Sequence, residues 1–200
     1  MKTQLRSLLT LVCTASATLL NIGSPAQAGF IVTLEQVGPN VVATGSGAID
    51  LTGLTSFGSA FASPEMYPAH GIMGTGPSGS VDVYAGSSGP ASFGPGFGGF
   101  PSTTSGDSVF LEDFGLGIDV PQGYISGTSL SSSATYSGTL ASLNVTPGTY
   151  EWTWGAGPDQ NFTLDAVAPA VPDSGSTFGL LFVSLLALLG ALRFRSLRLA

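Results

Sequence analysis

The chain has 200 residues, 12 acidic and five basic side chains, and a formal charge of −7. The basic residues all lie near the two ends, at Lys2, Arg6, Arg193, Arg195 and Arg198. Residues 29–170 therefore contain no lysine or arginine but eleven of the 12 acids, the other being Asp173. A domain without cations cannot neutralise phosphates, which excludes nucleic acids as partners and favours solubility.

The N-terminal segment has the three parts of a secretory signal peptide: a positive start, an apolar run and a small-x-small cleavage site. The positive start contains Lys2 and Arg6, the apolar run is residues 7–20, and the cleavage site contains Ala26 and Ala28. We expect signal peptidase to cleave after Ala28, so residues 1–28 form a cleavable signal helix and Gly29 becomes the mature N-terminus. Cys13, the only cysteine, leaves with this helix. The mature chain then has no disulfide and must be held together by burial.

The segment from 29 to 168 has the composition of an all-β ectodomain. Short runs of β-branched or aromatic residues alternate with turns rich in glycine, serine and proline. The expected strands are residues 30–37, 41–51, 80–85, 108–112, 116–120, 124–126, 131–136, 149–154 and 161–167, with a helical turn at 139–143. We predict a β-sandwich or jelly-roll-like fold in which the last two strands form an antiparallel pair.

Two segments, 56–79 and 86–106, do not fit a strand pattern because they are rich in glycine, proline and serine. We expect both to be long loops. The second carries Phe93, Phe97 and Phe100, and disordered linkers are poor in aromatic residues. The phenylalanines are therefore expected to anchor this loop to the domain.

The ectodomain offers little for catalysis, and we predict a non-enzymatic protein. His70 is its only histidine and lies in a predicted loop. The sequence has no Gly-x-Ser-x-Gly motif that would supply a nucleophilic serine for this histidine to activate. Glycoside hydrolysis needs only two carboxyl groups at a suitable separation. Either Glu112 or Asp113 could meet Asp107 or Asp119 in space, which leaves a glycan-hydrolysing domain as an alternative.

The same four acids are the candidate ligands for a calcium ion. They are Asp107, Glu112, Asp113 and Asp119. Zinc and copper are disfavoured because the ectodomain has no cysteine and one histidine, and the spacing of an EF-hand is absent. We expect no metal or cofactor, with a structural calcium ion as the alternative.

Tyr150, Trp152 and Trp154 alternate along a predicted strand, which places their three rings on one face. Such a face could stack on sugar rings, as in a carbohydrate-binding domain. The same rings are also the best core material in the chain. The pattern favours the core.

The C-terminal segment, residues 169–200, combines a short motif, an apolar run and a basic end. The motif is Val171, Pro172, Asp173, Ser174 and Gly175; the predicted transmembrane helix is 177–192; the basic end, 193–200, carries Arg193, Arg195 and Arg198. At about 1.5 Å per residue, the uncharged stretch 178–192 spans roughly 22 Å, a short helix for a hydrocarbon core of about 30 Å. The arginines favour a cytoplasmic C-terminus and place the ectodomain outside.

This arrangement resembles the PEP-CTERM type of sorting signal in its VPDSG form. Val171 and Pro172 match the Val-Pro-Glu-Pro form of that signal, whereas Asp173 and Ser174 replace its Glu and second Pro. The resemblance implies that exosortase, a membrane-embedded cysteine protease, processes the tail during export to the cell surface or extracellular matrix. The expected partners are signal peptidase, exosortase, the inner membrane before processing, and an extracellular polysaccharide.

Overall fold

The computed structural model describes residues 29–112, 117–169 and 182. In these residues two six-stranded sheets form a β-sandwich. The strands are β1 Phe30–Val37, β2 Asn40–Ala48, β3 Thr55–Ala62, β4 Met66–Tyr67, β5 Ile72–Thr75, β6 Gly79–Ala85, β7 Thr103–Gly106, β8 Val109–Glu112, β9 Gly117–Pro121, β10 Ser129–Ser137, β11 Gly148–Thr153 and β12 Asn161–Ala166. A short 3-10 turn, Pro68–His70, lies between β4 and β5.

The first sheet has the strand order β11-β12-β1-β2-β10-β7, and the second has β3-β6-β9-β8-β5-β4. Neighbouring strands are antiparallel except β1 and β12, which pair in parallel from Phe30↔Phe162 to Leu34↔Ala166. The first two strands, β1 and β2, form a hairpin with Val37 opposite Asn40. The predicted antiparallel pairing of the last two strands is confirmed.

The core lies between the two sheets, and the alternation of buried residues along the strands decides which side faces it. In β1 the buried residues are Phe30, Val32 and Leu34, all on one side of the strand. Tyr136 of β10 crosses the core, and its hydroxyl donates to the Gly74 carbonyl of β5 at 2.7 Å. Burial, with a smaller contribution from Glu65, raises the pKa of this hydroxyl, which therefore stays a donor. The two sheets are thus joined by a hydrogen bond as well as by apolar contact.

The prediction of a loop over 56–79 is wrong. This segment contains most of β3, together with β4, the 3-10 turn and β5. Every residue of β5 is buried, so its sequence has no alternation of apolar and polar residues. In contrast, seven of the eight residues of β3 are exposed, and their glycine and serine content resembles that of a loop.

The predicted strand at 124–126 is also wrong, because these residues belong to two successive turns. The Tyr124 amide donates to the Pro121 carbonyl at 2.9 Å, and the Thr128 amide donates to the Ile125 carbonyl at 3.0 Å. The flanking residue Gly123 has a φ of 77°, a left-handed conformation that a turn uses and a strand does not.

The second predicted loop, 86–106, is largely confirmed, apart from β7 at its end. Phe93 anchors it in the core with 1% exposure, whereas Phe97 and Phe100 remain 44% and 67% exposed. The loop runs directly over Trp152, and a Cβ at Gly89 would overlap the indole ring. This position therefore requires glycine.

Candidate functional site

The predicted aromatic face belongs to the core. Trp152 is fully buried and Trp154 is buried, and their indole nitrogens donate to the carbonyls of Pro90 at 2.9 Å and Asp50 at 2.7 Å. Tyr150 is half-buried and packs against Phe93 at a centroid distance of 6.0 Å. Because Trp152 presents no exposed ring, these three residues do not form a surface on which a sugar could stack.

His70 lies at the end of the 3-10 turn, in a cluster of aromatic rings. Its ring stacks on Tyr67 at a centroid distance of 4.2 Å. Tyr67 also contacts Phe97 edge-on at 5.2 Å. His70 therefore has an aromatic neighbour that accounts for its position.

Several carboxylates of this domain accept hydrogen bonds from neutral donors in place of cations. Asp50 accepts the Thr52 amide at 2.9 Å, and this backbone hydrogen bond is the main reason that the pKa of Asp50 is lowered. Asp82 accepts the Ser59 hydroxyl at 2.6 Å and the Gly123 amide at 2.8 Å, and these two bonds, the hydroxyl first, lower its pKa. Both carboxylates are thus stabilised in the ionised form.

The described members of the predicted calcium set do not form one cluster. Asp107 accepts the Ser131 amide at 2.7 Å and lies before β8, whereas Glu112 ends that strand, about 16 Å away at the rise of an extended chain. Asp113 lies outside the described residues. Within residues 29–112 and 117–169 no group of three or more histidines, cysteines or acids could hold a metal ion.

Glu112 and Asp119, by contrast, lie on one face of the second sheet. Asp119 in β9 is opposite Phe110 in β8, and Glu112 is opposite Gly117. Residues directly opposite each other share a face, as do residues two apart on one strand. The two carboxyl groups are therefore diagonal neighbours, one of the pairings that the sequence left open.

Asp119 is the one carboxyl group among the described residues that is both buried and short of a partner. The residue is 4% exposed, and its Oδ1 has no hydrogen-bond partner among the described residues. Burial disfavours the charged form and raises the pKa of Asp119 to about 6. The sequence named Asp119 as a candidate acid near the end of the predicted strand 116–120 and gave no indication of this burial.

A surface groove opens next to Asp119. Its volume is about 400 Å³, and it is lined by Phe57, Val83, Tyr84, Ala85, Glu112, Gly117 and Asp119. Phe57 lies at a bulge where the pairing of β3 with β6 shifts between Ser56 and Gly58, and its ring is 72% exposed. A bulge redirects a side chain, so this ring stands at the rim of the groove. We call this feature the Asp119 groove.

Sequence reasoning missed the apolar wall of the Asp119 groove. Phe57 was assigned to a loop, and Val83 was placed on a strand with no indication of its neighbours across the sheet. The one local signal is Phe57 followed by glycine in a polar stretch, which is compatible with a bulge. The remaining contacts come from strand pairing between distant parts of the chain.

Comparison with known families identifies the tail. Residues 170–193 match the family model described as the VPDSG-CTERM motif, and the match covers all five motif residues, 171–175, and the predicted apolar run. The chain therefore carries a VPDSG-type C-terminal sorting signal, as predicted. No curated protein and no solved structure matches the chain.

The residues that define the predicted targeting features lie outside the described residues. They are the cleavage site at Ala26 and Ala28, the motif Val171, Pro172, Asp173, Ser174 and Gly175, and the arginines Arg193, Arg195 and Arg198. In the part of the chain that is described, no helix has the length and apolar character needed to cross a membrane.

Asp119 is expected to make the stability of the domain depend on pH. Because its pKa is about 6 in the folded protein against an ordinary value of 3.8, the folded state binds more protons than the unfolded chain between these values. The free energy of unfolding should therefore fall as the pH rises from about 4.5 to about 7. Asp50 and Asp82, whose pKa values are lowered, lose their contribution only below this range.

Urea unfolding at the two pH values measures this effect. We expect the free energy of unfolding to fall by roughly 1–2 kcal/mol. This is less than the whole shift in the pKa of Asp119 would give, because the groove admits solvent. Asp119→Asn should abolish the fall, whereas Glu151→Gln, which changes an exposed carboxyl group on β11, should retain it. A fall of the same size in Asp119→Asn would show that another group is responsible.

Proposed function

We propose that this protein is a non-enzymatic component of the cell surface or extracellular matrix, exported through residues 1–28 and processed by exosortase at its tail. The observation that carries the proposal is the VPDSG-CTERM match at residues 170–193. Signal peptidase and exosortase are its processing enzymes in this proposal. The inner membrane holds it only until the tail is removed.

The limits of the sandwich support this division of the chain. The first strand begins at Phe30, two residues after the proposed cleavage position. At the other end, the Val167 amide donates to the Leu34 carbonyl at 2.9 Å, three residues before the matched motif begins. Both processing segments can therefore be removed without breaking a strand.

The distribution of charge supports release from the membrane. Residues 29–170 have eleven acids and no lysine or arginine, so negatively charged lipid head groups repel the ectodomain. Once the signal peptide is removed, Arg193, Arg195 and Arg198 are the only basic side chains left, apart from the single histidine. Removal of the tail takes away every lysine and arginine that could hold the protein to an anionic membrane.

The tail is expected to be processed only in cells that contain a matching exosortase. Mass spectrometry of the mature C-terminus, combined with cell fractionation, measures this. With exosortase, the exported protein should lack residues 177–200 and leave the inner membrane. Without it, the full tail should be retained in the inner-membrane fraction.

A matched pair of proline variants tests whether the motif is read. Pro172→Ala changes the motif and should reduce processing, because proline keeps this segment out of a helix. Pro169→Ala changes a proline just outside the match and should leave processing unchanged. A tail that is retained in the inner membrane with or without exosortase would contradict the proposal.

Signal cleavage is expected to create an ion pair in the mature protein. The Gly29 nitrogen lies 3.3 Å from Asp159 Oδ1. Cleavage after Ala28 turns this amide nitrogen into an ammonium group, which gains a charge-assisted hydrogen bond. Retaining Ala28 as an extension should therefore lower the free energy of unfolding by about 0.5–1 kcal/mol.

A double-mutant cycle separates this pairing from other effects of the extension. In Asp159→Asn, retaining Ala28 should change the free energy of unfolding little. In Asp165→Asn, which alters a carboxyl group hydrogen-bonded to the Thr149 hydroxyl, retaining Ala28 should lower the free energy of unfolding as much as in the natural protein. An equal cost in all three backgrounds would show that Gly29 and Asp159 do not pair.

A further inference from the structure

We propose that the Asp119 groove binds one ring of an uncharged extracellular polysaccharide, with the Asp119 carboxyl group turning to accept a hydroxyl hydrogen bond and Phe57 covering a face of the sugar. The inference deepens the proposed matrix function and rests on it. It assigns the sugar contact to a different part of the fold from the buried tryptophans.

The first argument is the unsatisfied oxygen. Asp119 Oδ1 is one of two buried side-chain atoms without a hydrogen-bond partner among the described residues, the other being Asn161 Oδ1. Asn161 lies against the backbone of Gly29, whereas Asp119 lines the groove. Buried polar atoms in folded proteins are nearly always paired, so an unpaired one beside a groove indicates a missing donor. A sugar hydroxyl supplies such a donor once the carboxyl group, which lines the groove, turns Oδ1 toward it.

The second argument is the apolar part of the groove lining, which lies beside the carboxyl groups. Phe57, Val83 and Ala85 contribute it, and the Phe57 ring is 72% exposed. A pyranose ring has one face of C–H groups, which packs on an aromatic ring, and an edge of hydroxyl groups. A groove lined by both an aromatic ring and carboxyl groups can contact both parts of such a ring.

The third argument is charge and size. Glu112 and Asp119 give the groove two carboxyl groups, and the ectodomain around it has no lysine or arginine, so uronic-acid polymers are repelled. A volume of about 400 Å³ falls within the usual range for small-ligand sites. A calcium ion fits less well because it takes six to eight oxygen ligands, and the groove offers two carboxyl groups beside an apolar wall.

Isothermal titration calorimetry of the tail-free protein against defined oligosaccharides tests the proposal. The probes are hexasaccharides of glucose and of N-acetylglucosamine, which are neutral, and of guluronate, which is anionic. We expect at least one neutral probe to bind, the guluronate probe to fail, and chelator to have no effect. Binding that needs calcium, or that prefers guluronate, would overturn the proposal.

Two phenylalanines of β3 provide a matched pair of variants. Phe57→Ala should weaken binding about tenfold or more, because it removes the stacking ring. Phe61→Ala removes a ring of nearly equal exposure, 73%, that does not line the groove, and should change the affinity less than about twofold. Equal effects of the two substitutions would refute the assignment of the site.

Asp119→Leu separates binding from folding. It removes the acceptor together with a buried, unpartnered carboxyl group, so binding should be lost while the melting temperature at neutral pH is kept or raised. Unchanged affinity in this variant would overturn the role of Asp119.

Measuring reducing sugar after the same titrations separates the proposed sugar site from the proposed non-enzymatic function. Binding without new reducing ends supports both proposals. Hydrolysis by the natural protein that is lost in Asp119→Asn and in Glu112→Gln would support the site but overturn the proposed non-enzymatic function. Failure of every neutral probe would remove the site, and the processing of the tail would still test the proposed export.

Discussion

The constraint on which this structure depends is that its β-sandwich contains acids but no lysine or arginine. Apart from Asp159, which we propose to pair with the mature N-terminus, each carboxylate must be exposed to water or find a neutral donor. Asp50, Asp82 and Asp107 accept backbone amides, and Asp82 also accepts a serine hydroxyl. Burying a carboxylate without such donors is costly, so Asp119 stands out. It is buried, its pKa is raised to about 6, and it lines a groove.

The same constraint links the ectodomain to its sorting tail. Because residues 29–170 have no lysine or arginine, the proposed removal of residues 1–28 would leave the arginines beyond 192 as the source of attraction to anionic lipid. The VPDSG-CTERM match, at 170–193, lies between the sandwich and most of this basic end. Cleavage there would release a domain whose charge keeps it soluble and keeps its copies apart. The charge distribution of the domain thus agrees with the export that its sorting signal indicates.

The sequence predicted those strands whose burial alternates along the strand itself, and it missed those whose burial depends on distant parts of the chain. β1, β10, β11 and β12 alternate more buried with less buried residues, and all four were placed correctly. The tryptophans of β11 and the following turn were assigned to the core. β3 and β5 were missed because one is exposed and the other is buried on both faces, so neither alternates. The groove could not be predicted, because Phe57, Val83 and Asp119 meet only through the register of three strands and one bulge. Asp119 was recognised as a candidate, but its burial depends on residues distant in sequence.

The most direct test of the central claim is an NMR titration that follows the carboxyl carbon of Asp119 in the tail-free protein. The free protein should show a pKa of about 6, against an ordinary value of 3.8, because the carboxyl group is buried without its donor. A bound neutral oligosaccharide should lower that pKa, since a hydroxyl donor stabilises the ionised form. A pKa close to the ordinary value in the free protein, unchanged by any sugar, would contradict the account.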